Sequence, residues 1–252
     1  MMLSLLDVPT QIPDTCALGQ MMPREDPRDV VVMKPGSSYK TLADLPAGSV
    51  VGTSSVRRTA QLARHYPHLK VHDIRGNIDT RLAKLDAEDG PFTCIILAAA
   101  GLHRTGCEGR ISQYLEAKNG KMLHAVGQGA LGIEIRAGDE FVKGMMEKIG
   151  DEKTTLACLA ERELLRVLEG GCSAPLGVET EWVKDDSGKE KLRLRSIVAS
   201  VDGKELVEIE KDGDVSSPDE AEAFGKAAAQ DLVEKGAGKI LEAIQQKKKL
   251  WS

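Results

Sequence analysis

The sequence predicts an α/β chain built on a largely parallel sheet, followed by a smaller α+β unit from about residue 150. Three observations carry that reading. Between residues 49 and 97 short apolar runs alternate with helically spaced segments, the order that layers helices on a sheet. Hydrophobic residues make up 41% and charged residues 29% of the 252, enough apolar material for a sizeable core in an ordinary globular chain. Beyond residue 150 the strands come together and the helices come together, which is the α+β order.

Each element has its own local reason. The first 25 residues are punctuated by Pro9, Pro13 and Pro23 and show only weak periodicity. Ser49-Val50-Val51-Gly52 is an apolar run closed by glycine and reads as a strand. Thr53, Ser54 and Ser55 offer hydroxyl caps to a helix over 56–65, which Pro67 stops. Residues 69–74 alternate and predict a strand, Gly76-Asn77 turns the chain, and Asp79 is expected to cap a helix through Leu82 and Leu85. A further strand is expected over 92–97, with Cys94 inside it.

Residues 126–130 read as a loop and 131–136 as a strand. Leu156, Leu159, Leu164, Leu165 and Leu168 mark a helix over 154–168 that Gly170-Gly171 ends. Strands over 192–201 and 206–209 flank Asp202-Gly203, a hairpin signal. Helices follow over 218–234 and 238–246, and Lys247, Lys248 and Lys249 suit the negative end of the last helix dipole.

Composition also excludes. A net charge of −5 with 3% aromatics argues against a dedicated nucleic-acid binder. No apolar run is long enough to span a bilayer, and the first residues lack the basic and apolar regions of a signal peptide. Five scattered cysteines (Cys16, Cys94, Cys107, Cys158, Cys172) give neither a disulfide framework nor zinc-ligand spacing. A cytoplasmic, reducing setting is therefore expected. His65, His68 and His72 straddle Pro67 and two elements, so they read as surface polar groups and not as a metal site.

Chemistry concentrates in a few places. Residues 53–84 hold seven positive side chains, among them Arg57, Arg58, Arg75 and Arg81, against the two negatives Asp73 and Asp79. The arginines flank turns that follow strands, where helix-start N–H groups already favour an anion. Guanidinium forks there suit carboxylate or phosphate; the plainer reading is a solvated basic helix face. Gly170-Gly171-Cys172-Ser173-Ala174-Pro175 sets a cysteine in a tight loop, either exposed for reaction or buried as a small hydrophobe. Asp7, before Pro9, and Gly127-Gln128-Gly129 are weak signals taken alone.

Together these segments resemble one family. Val51-Gly52-Thr53-Ser54-Ser55-Val56-Arg57-Arg58 is similar to the V-G-T-S-S-x-R-R signature of porphobilinogen deaminase (hydroxymethylbilane synthase). Ile74-Arg75-Gly76-Asn77-Ile78-Asp79-Thr80-Arg81 resembles its R-G-N-x-x-T-R segment. Residues 97–102, 126–131 and 169–175 (E-G-G-C-S-A-P) match in order and spacing. The resemblance implies a transferase of porphyrin and heme biosynthesis that joins four porphobilinogen molecules, each losing ammonia, into the linear tetrapyrrole hydroxymethylbilane. Growth would start on a dipyrromethane cofactor bound to Cys172 through a thioether.

By the same resemblance Asp7 is the catalytic aspartate, its carboxylate offsetting the positive charge that develops as ammonia leaves and relaying protons. Arg57, Arg58, Arg75, Arg81 and Arg104 would hold substrate carboxylates. Ser4, Thr53, Ser55, Asn77 and Gln128, with the first four arginines, would hold the cofactor. The chain departs from the family's H-S-x-K-D-x-P-T motif by Leu3 and Leu6, where the family has histidine and lysine.

The implied fold is periplasmic-binding-protein-like domains, the first one incomplete, plus a C-terminal α+β domain. Residues 1–24 and 125–150 would be the remnant of the first domain, which in the family begins further upstream. Residues 25–124 would form the second domain and 151–252 the third, carrying Cys172. Porphobilinogen is the implied small-molecule partner and a monomer the implied state, with no metal, nucleic acid or membrane. Two other readings use the same residues: a small-anion-binding module without chemistry, and an inactive fragment.

Overall fold

The computed structural model describes residues 1–168 and 175–249. In chain order the elements are β1 (Met2–Ser4), a 3-10 turn (Leu5–Asp7), β2 (Cys16–Met21), β3 (Asp29–Met33), β4 (Val50–Gly52), α1 (Val56–His65), β5 (Lys70–His72), α2 (Ile78–Asp86), β6 (Cys94–Ala98), α3 (Ala99–Arg104) and β7 (Ile111–Leu115). They continue with β8 (Leu131–Arg136), α4 (Glu140–Met146), α5 (Glu152–Val167), β9 (Leu176–Lys184), β10 (Glu190–Ala199), β11 (Leu206–Gly213), α6 (Pro218–Glu234) and α7 (Ala237–Lys249).

The strands make three sheets. The central one runs β5-β4-β6-β3-β7. β4 is parallel to β5 and β6, but β3 is antiparallel to both β6 and β7. The sheet is therefore mixed, not largely parallel. The reversal comes from β3, a strand of buried residues whose three consecutive valines lack the alternation of a half-buried strand. Val30, Val32, Ile95 and Leu97 face α2 and α3, whereas Val31, Met33, Cys94 and Ile96 share a cluster with Leu62 of α1. Successive residues point to opposite faces, so both layers are packed with aliphatic side chains.

Other boundaries shift for local reasons. α2 is capped by Asn77, whose side-chain oxygen accepts from the Thr80 N–H at 2.9 Å, and not by Asp79. β5 spans only three residues because β4 offers it three partners before ending at Gly52. The 92–97 strand begins at Cys94 and runs to Ala98. Residues 2–4 and 16–21 are strands that pair with β8, more than a hundred residues away in sequence. α1, β8 and α6 have the bounds their sequence patterns predict.

The C-terminal layer is an antiparallel β11-β10-β9 sheet packed on α5 and α6. Gly225 permits the two helices to approach closely, since a Cβ there would lie 2.2 Å from the Ala160 carbonyl oxygen. Residues 169–174, with the expected glycine stop and Cys172, lie outside the described residues.

One buried carboxylate ties the layers together. Glu161 of α5 accepts two bonds from Arg24 (2.6 and 3.0 Å), one from the Thr180 hydroxyl (2.6 Å) and one from the Gly127 N–H (2.8 Å). Burial alone would raise its carboxyl, but Arg24 and its other partners bring it down to about 2.

Candidate functional site

The carboxyl ends of β5, β4 and β6 lie along one edge of the central sheet, and β3 begins at that same edge because it runs the other way. Three strand-to-helix turns and the first residue of β3 therefore converge there. Ligands bind at such edges in open α/β sheets.

Ser55 caps α1, its hydroxyl oxygen accepting from the Arg58 N–H at 3.4 Å. Thr53 is buried, and its hydroxyl oxygen accepts from the Ser55 N–H at 3.2 Å. That turn places Arg57 and Arg58 in the first turn of α1, where the helix dipole disfavours positive charge. Asp29 offsets it. Its carboxylate accepts from Arg57 Nη1 at 2.6 Å and from Arg58 Nη2 at 2.7 Å. Arg57 also donates to the Leu123 carbonyl at 2.6 Å, and Arg58 to the Ile96 carbonyl at 2.7 Å.

Gln128 completes the cluster. Its amide nitrogen donates to Asp29 at 2.9 Å and to the Pro27 carbonyl at 2.7 Å, and its amide oxygen accepts from Arg57 at 3.4 Å. The backbone that carries it needs glycine: Gly129 has φ +79°, and a Cβ there would sit 2.5 Å from the Glu25 carbonyl oxygen.

Two guanidiniums share one carboxylate, which leaves positive charge in excess. Burial works against the Asp29 charge, yet Arg57 and Arg58 hold its carboxyl far below the usual range. Burial and the neighbouring Arg58 keep Arg57 below the ordinary arginine value despite Asp29. Burial and Arg58 also lower Arg81, so a third guanidinium faces the same field. Among the described residues Arg58 Nε is buried without a hydrogen-bond partner, an unmet donor of the kind that costs about 1–3 kcal/mol unless something accepts from it. A carboxylate-bearing dipyrromethane fits this set: it brings acceptors to an unmet donor and negative charge to a positive surplus.

The remaining residues stand at differing distances from that core. Arg81 is anchored by Nε donating to the Gly76 carbonyl at 2.7 Å. Arg75 is largely exposed and meets Asp73 at 3.4 Å, and Asn77 is occupied in capping α2. The turn carrying Asp7 is docked on the Gln128 loop: the Leu5 N–H donates to the Ala130 carbonyl at 2.9 Å, and a Cβ on Gly127 would lie 3.1 Å from Leu5. Ser4 and Asp7 are exposed beside it. Leu3 packs against the cluster of Leu5, Val8 and Met21, whereas Leu6 is 42% exposed. Arg104 is exposed at the end of α3, with no bond to this cluster among the described residues.

Sequence reasoning missed Asp29, Arg24 and Glu161. The available signal for Asp29 was a lone acid opening an all-aliphatic run, which buries a charge that must find a partner. Among the described residues no group of three or more His, Cys, Asp or Glu side chains is placed to hold a metal ion. No helix among them is long and apolar enough to cross a membrane.

Comparisons with known proteins point to one family. Residues 1–144 match the family model of the porphobilinogen deaminase dipyromethane cofactor binding domain, and residues 155–234 that of the porphobilinogen deaminase C-terminal domain. A porphobilinogen deaminase of Yarrowia lipolytica is 56% identical over 241 residues, covering 96% of this chain and 69% of its own length. One from Neurospora crassa is 52% identical over 248 residues (96% and 72%), and one from Saccharomyces cerevisiae 50% over 242 residues (96% and 72%). A YaeC-family lipoprotein of Enterococcus faecalis aligns with 17% identity over 56% of this chain and 64% of its own, at a TM-score of 0.34, too slight a likeness to carry an argument. With the arginine cluster at the sheet edge and matches along nearly its whole length, the chain belongs to the porphobilinogen deaminase family.

Proposed function

We propose that this chain joins four porphobilinogen molecules head to tail, releasing one ammonia per addition, that water then cleaves the tetrapyrrole from its primer and supplies the hydroxyl of hydroxymethylbilane, and that Cys172 carries the dipyrromethane primer through a thioether. The observation that carries the reading is the positive surplus at the sheet edge, where Arg57 and Arg58 share one carboxylate, Asp29, and Arg81 lies in the field of Arg58. A growing oligopyrrole brings carboxylates on every ring, and guanidinium forks bind carboxylates with directional, charge-assisted bonds.

The roles divide by exposure. Arg57 and Arg58 are buried and pre-positioned, so they hold the cofactor end. Arg75, exposed, and Arg81, half-buried, take incoming substrate carboxylates, with the exposed Arg104 at the end of α3. Thr53, Ser55, Asn77 and Ser4 shape the turns that present these groups, and Gln128 fixes the Arg57–Asp29 pair. When bound, the dipyrromethane supplies the pyrrole carbon on which the chain grows. Asp7 supplies the negative charge that offsets the cation developing on the substrate as ammonia departs, and accepts and returns a proton at its carboxylate.

The three sheets support a division into residues 1–24 with 125–150, residues 25–124, and residues 151–252. A monomer in the cytoplasm accords with the charge, the free thiols and the small-molecule substrate. The test is turnover of porphobilinogen by the full chain and by Asp7→Asn. Ammonia and linear tetrapyrrole should form with the wild-type chain. The variant should retain dye-reactive dipyrromethane and lose about 100-fold or more in kcat. Turnover unchanged in Asp7→Asn removes Asp7 from the chemistry.

A further inference from the structure

Four arginines are buried among the described residues. Arg57, Arg58 and Arg195 each meet a carboxylate, as a charge taken out of water normally must. Arg162 of α5 is only 6% exposed, yet it forms no ion pair with any described residue. Its guanidinium instead spans two successive backbone carbonyls. Nη1 donates to Val8 at 3.0 Å and Nη2 to Pro9 at 2.5 Å. Setting a buried cation against neutral acceptors is unfavourable, so what those carbonyls hold in place matters.

They continue the turn that ends at Asp7. The Val8 N–H closes that turn on the Leu5 carbonyl at 3.3 Å. Asp7 is exposed, and its carboxylate has no hydrogen bond or ion pair with any described residue, so its place follows from its backbone. On one side the backbone is tied by the Leu5 N–H to the Ala130 carbonyl at 2.9 Å. On the other side Val8 is extended (φ −82°, ψ 120°), as a residue before proline prefers, and Arg162 holds it there. The neighbouring Glu161 accepts from the Gly127 N–H at 2.8 Å. Consecutive residues of one helix therefore fix both the Gln128 loop and the Asp7 turn docked on it. That helix leads toward Cys172, ten residues beyond Arg162 in the sequence.

We propose that Arg162 is a positioning residue for the reaction: by bridging the Val8 and Pro9 carbonyls it fixes the backbone that carries Asp7 relative to the helix that leads to Cys172. The inference rests on the role proposed above for Asp7. A planar guanidinium fork meets both carbonyls at once, which a lysine ammonium does not. Displacing a reacting group by about 1 Å costs up to about 100-fold in rate, so a loosened turn acts on turnover more than on substrate binding.

The test compares Arg162→Met and Arg162→Lys in the full chain, each alone and combined with Asp7→Asn. Counted per dipyrromethane-bearing chain, kcat should fall about 10- to 100-fold in Arg162→Met with KM within about twofold, and Arg162→Lys should recover part of the loss. In the Asp7→Asn background the Arg162→Met loss should shrink to about twofold or less, because both changes act through one carboxylate. In the cofactor-free chain, amide exchange at Leu5 and Val8 should quicken about tenfold or more in Arg162→Met, with β3 unchanged. A urea midpoint checks folding; if Arg162→Met does not fold, Arg162→Lys carries the same cycle, with a kcat loss of about threefold or more. Losses that multiply in the double variant overturn the positioning role and leave Asp7 in the chemistry. So does a change confined to KM, a wild-type kcat, a chain that takes up no dipyrromethane, or unaltered exchange at Leu5 and Val8. Asp7→Asn turning over as the wild type does removes Asp7, and this inference with it.

Discussion

Asp29 accepts a 2.7 Å hydrogen bond from Arg58 at the edge of the central sheet, in a position where both side chains are nearly sealed from solvent. Removing the carboxylate leaves Arg57 and Arg58 buried side by side without their shared counter-charge. Asp29→Ala should cost about 3–5 kcal/mol of stability, read as a lower urea midpoint. A loss below about 1 kcal/mol would mean that the pair is far more hydrated than its burial implies.

Glu161 makes stability depend on pH. Its carboxyl is held at about 2 in the folded chain, below the roughly 4.3 of an unfolded glutamate. The folded pKa is depressed, so the stabilisation is complete above the unfolded value and is lost as pH falls through about 4 toward 2. Asp29 shifts in the same direction and adds to the effect. Urea midpoints between pH 7 and 3 should fall for the wild-type chain. In Glu161→Gln they should start lower, because Arg24 loses its partner, and fall less steeply. Parallel curves for the two proteins would refute this linkage.

Arg81 and Arg104 should separate kinetically. Arg81 shares the field of Arg58 and is anchored to Gly76, so Arg81→Gln should raise KM for porphobilinogen about 10-fold or more, the worth of one charge-assisted bond. Arg104 stands exposed, without a bond to that cluster among the described residues, and Arg104→Gln should cost several-fold less. Steady-state kinetics of both variants decide it; equal losses would place Arg104 on the same footing as Arg81.

Much of this was legible in the sequence where the determinants are local. The α1 segment follows from a hydroxyl cap, helical spacing and a proline stop, and α6 has the 218–234 bounds its pattern predicts. The hairpin around Asp202-Gly203 follows from its turn residues. What local pattern does not carry is pairing across distance. β1 and β2 owe their strand form to β8, and β3 turned the sheet from parallel to mixed through partners about sixty to ninety residues on. The site divides in the same way. Arg57, Arg58 and Arg81 announce themselves as a local excess of charge, whereas Asp29, Arg24 and Glu161 matter only because folding brings distant residues onto them.

Cys172 is the residue on which the proposed chemistry converges, and the attachment it is assigned has a direct readout. The full chain, supplied with porphobilinogen, is weighed intact by mass spectrometry and treated with acidic Ehrlich reagent, alongside Cys172→Ser. The wild-type protein should carry the mass of two linked pyrrole units and give the dye reaction, and Cys172→Ser should carry neither. An unmodified wild-type chain, or the same adduct on Cys172→Ser, would contradict the assignment.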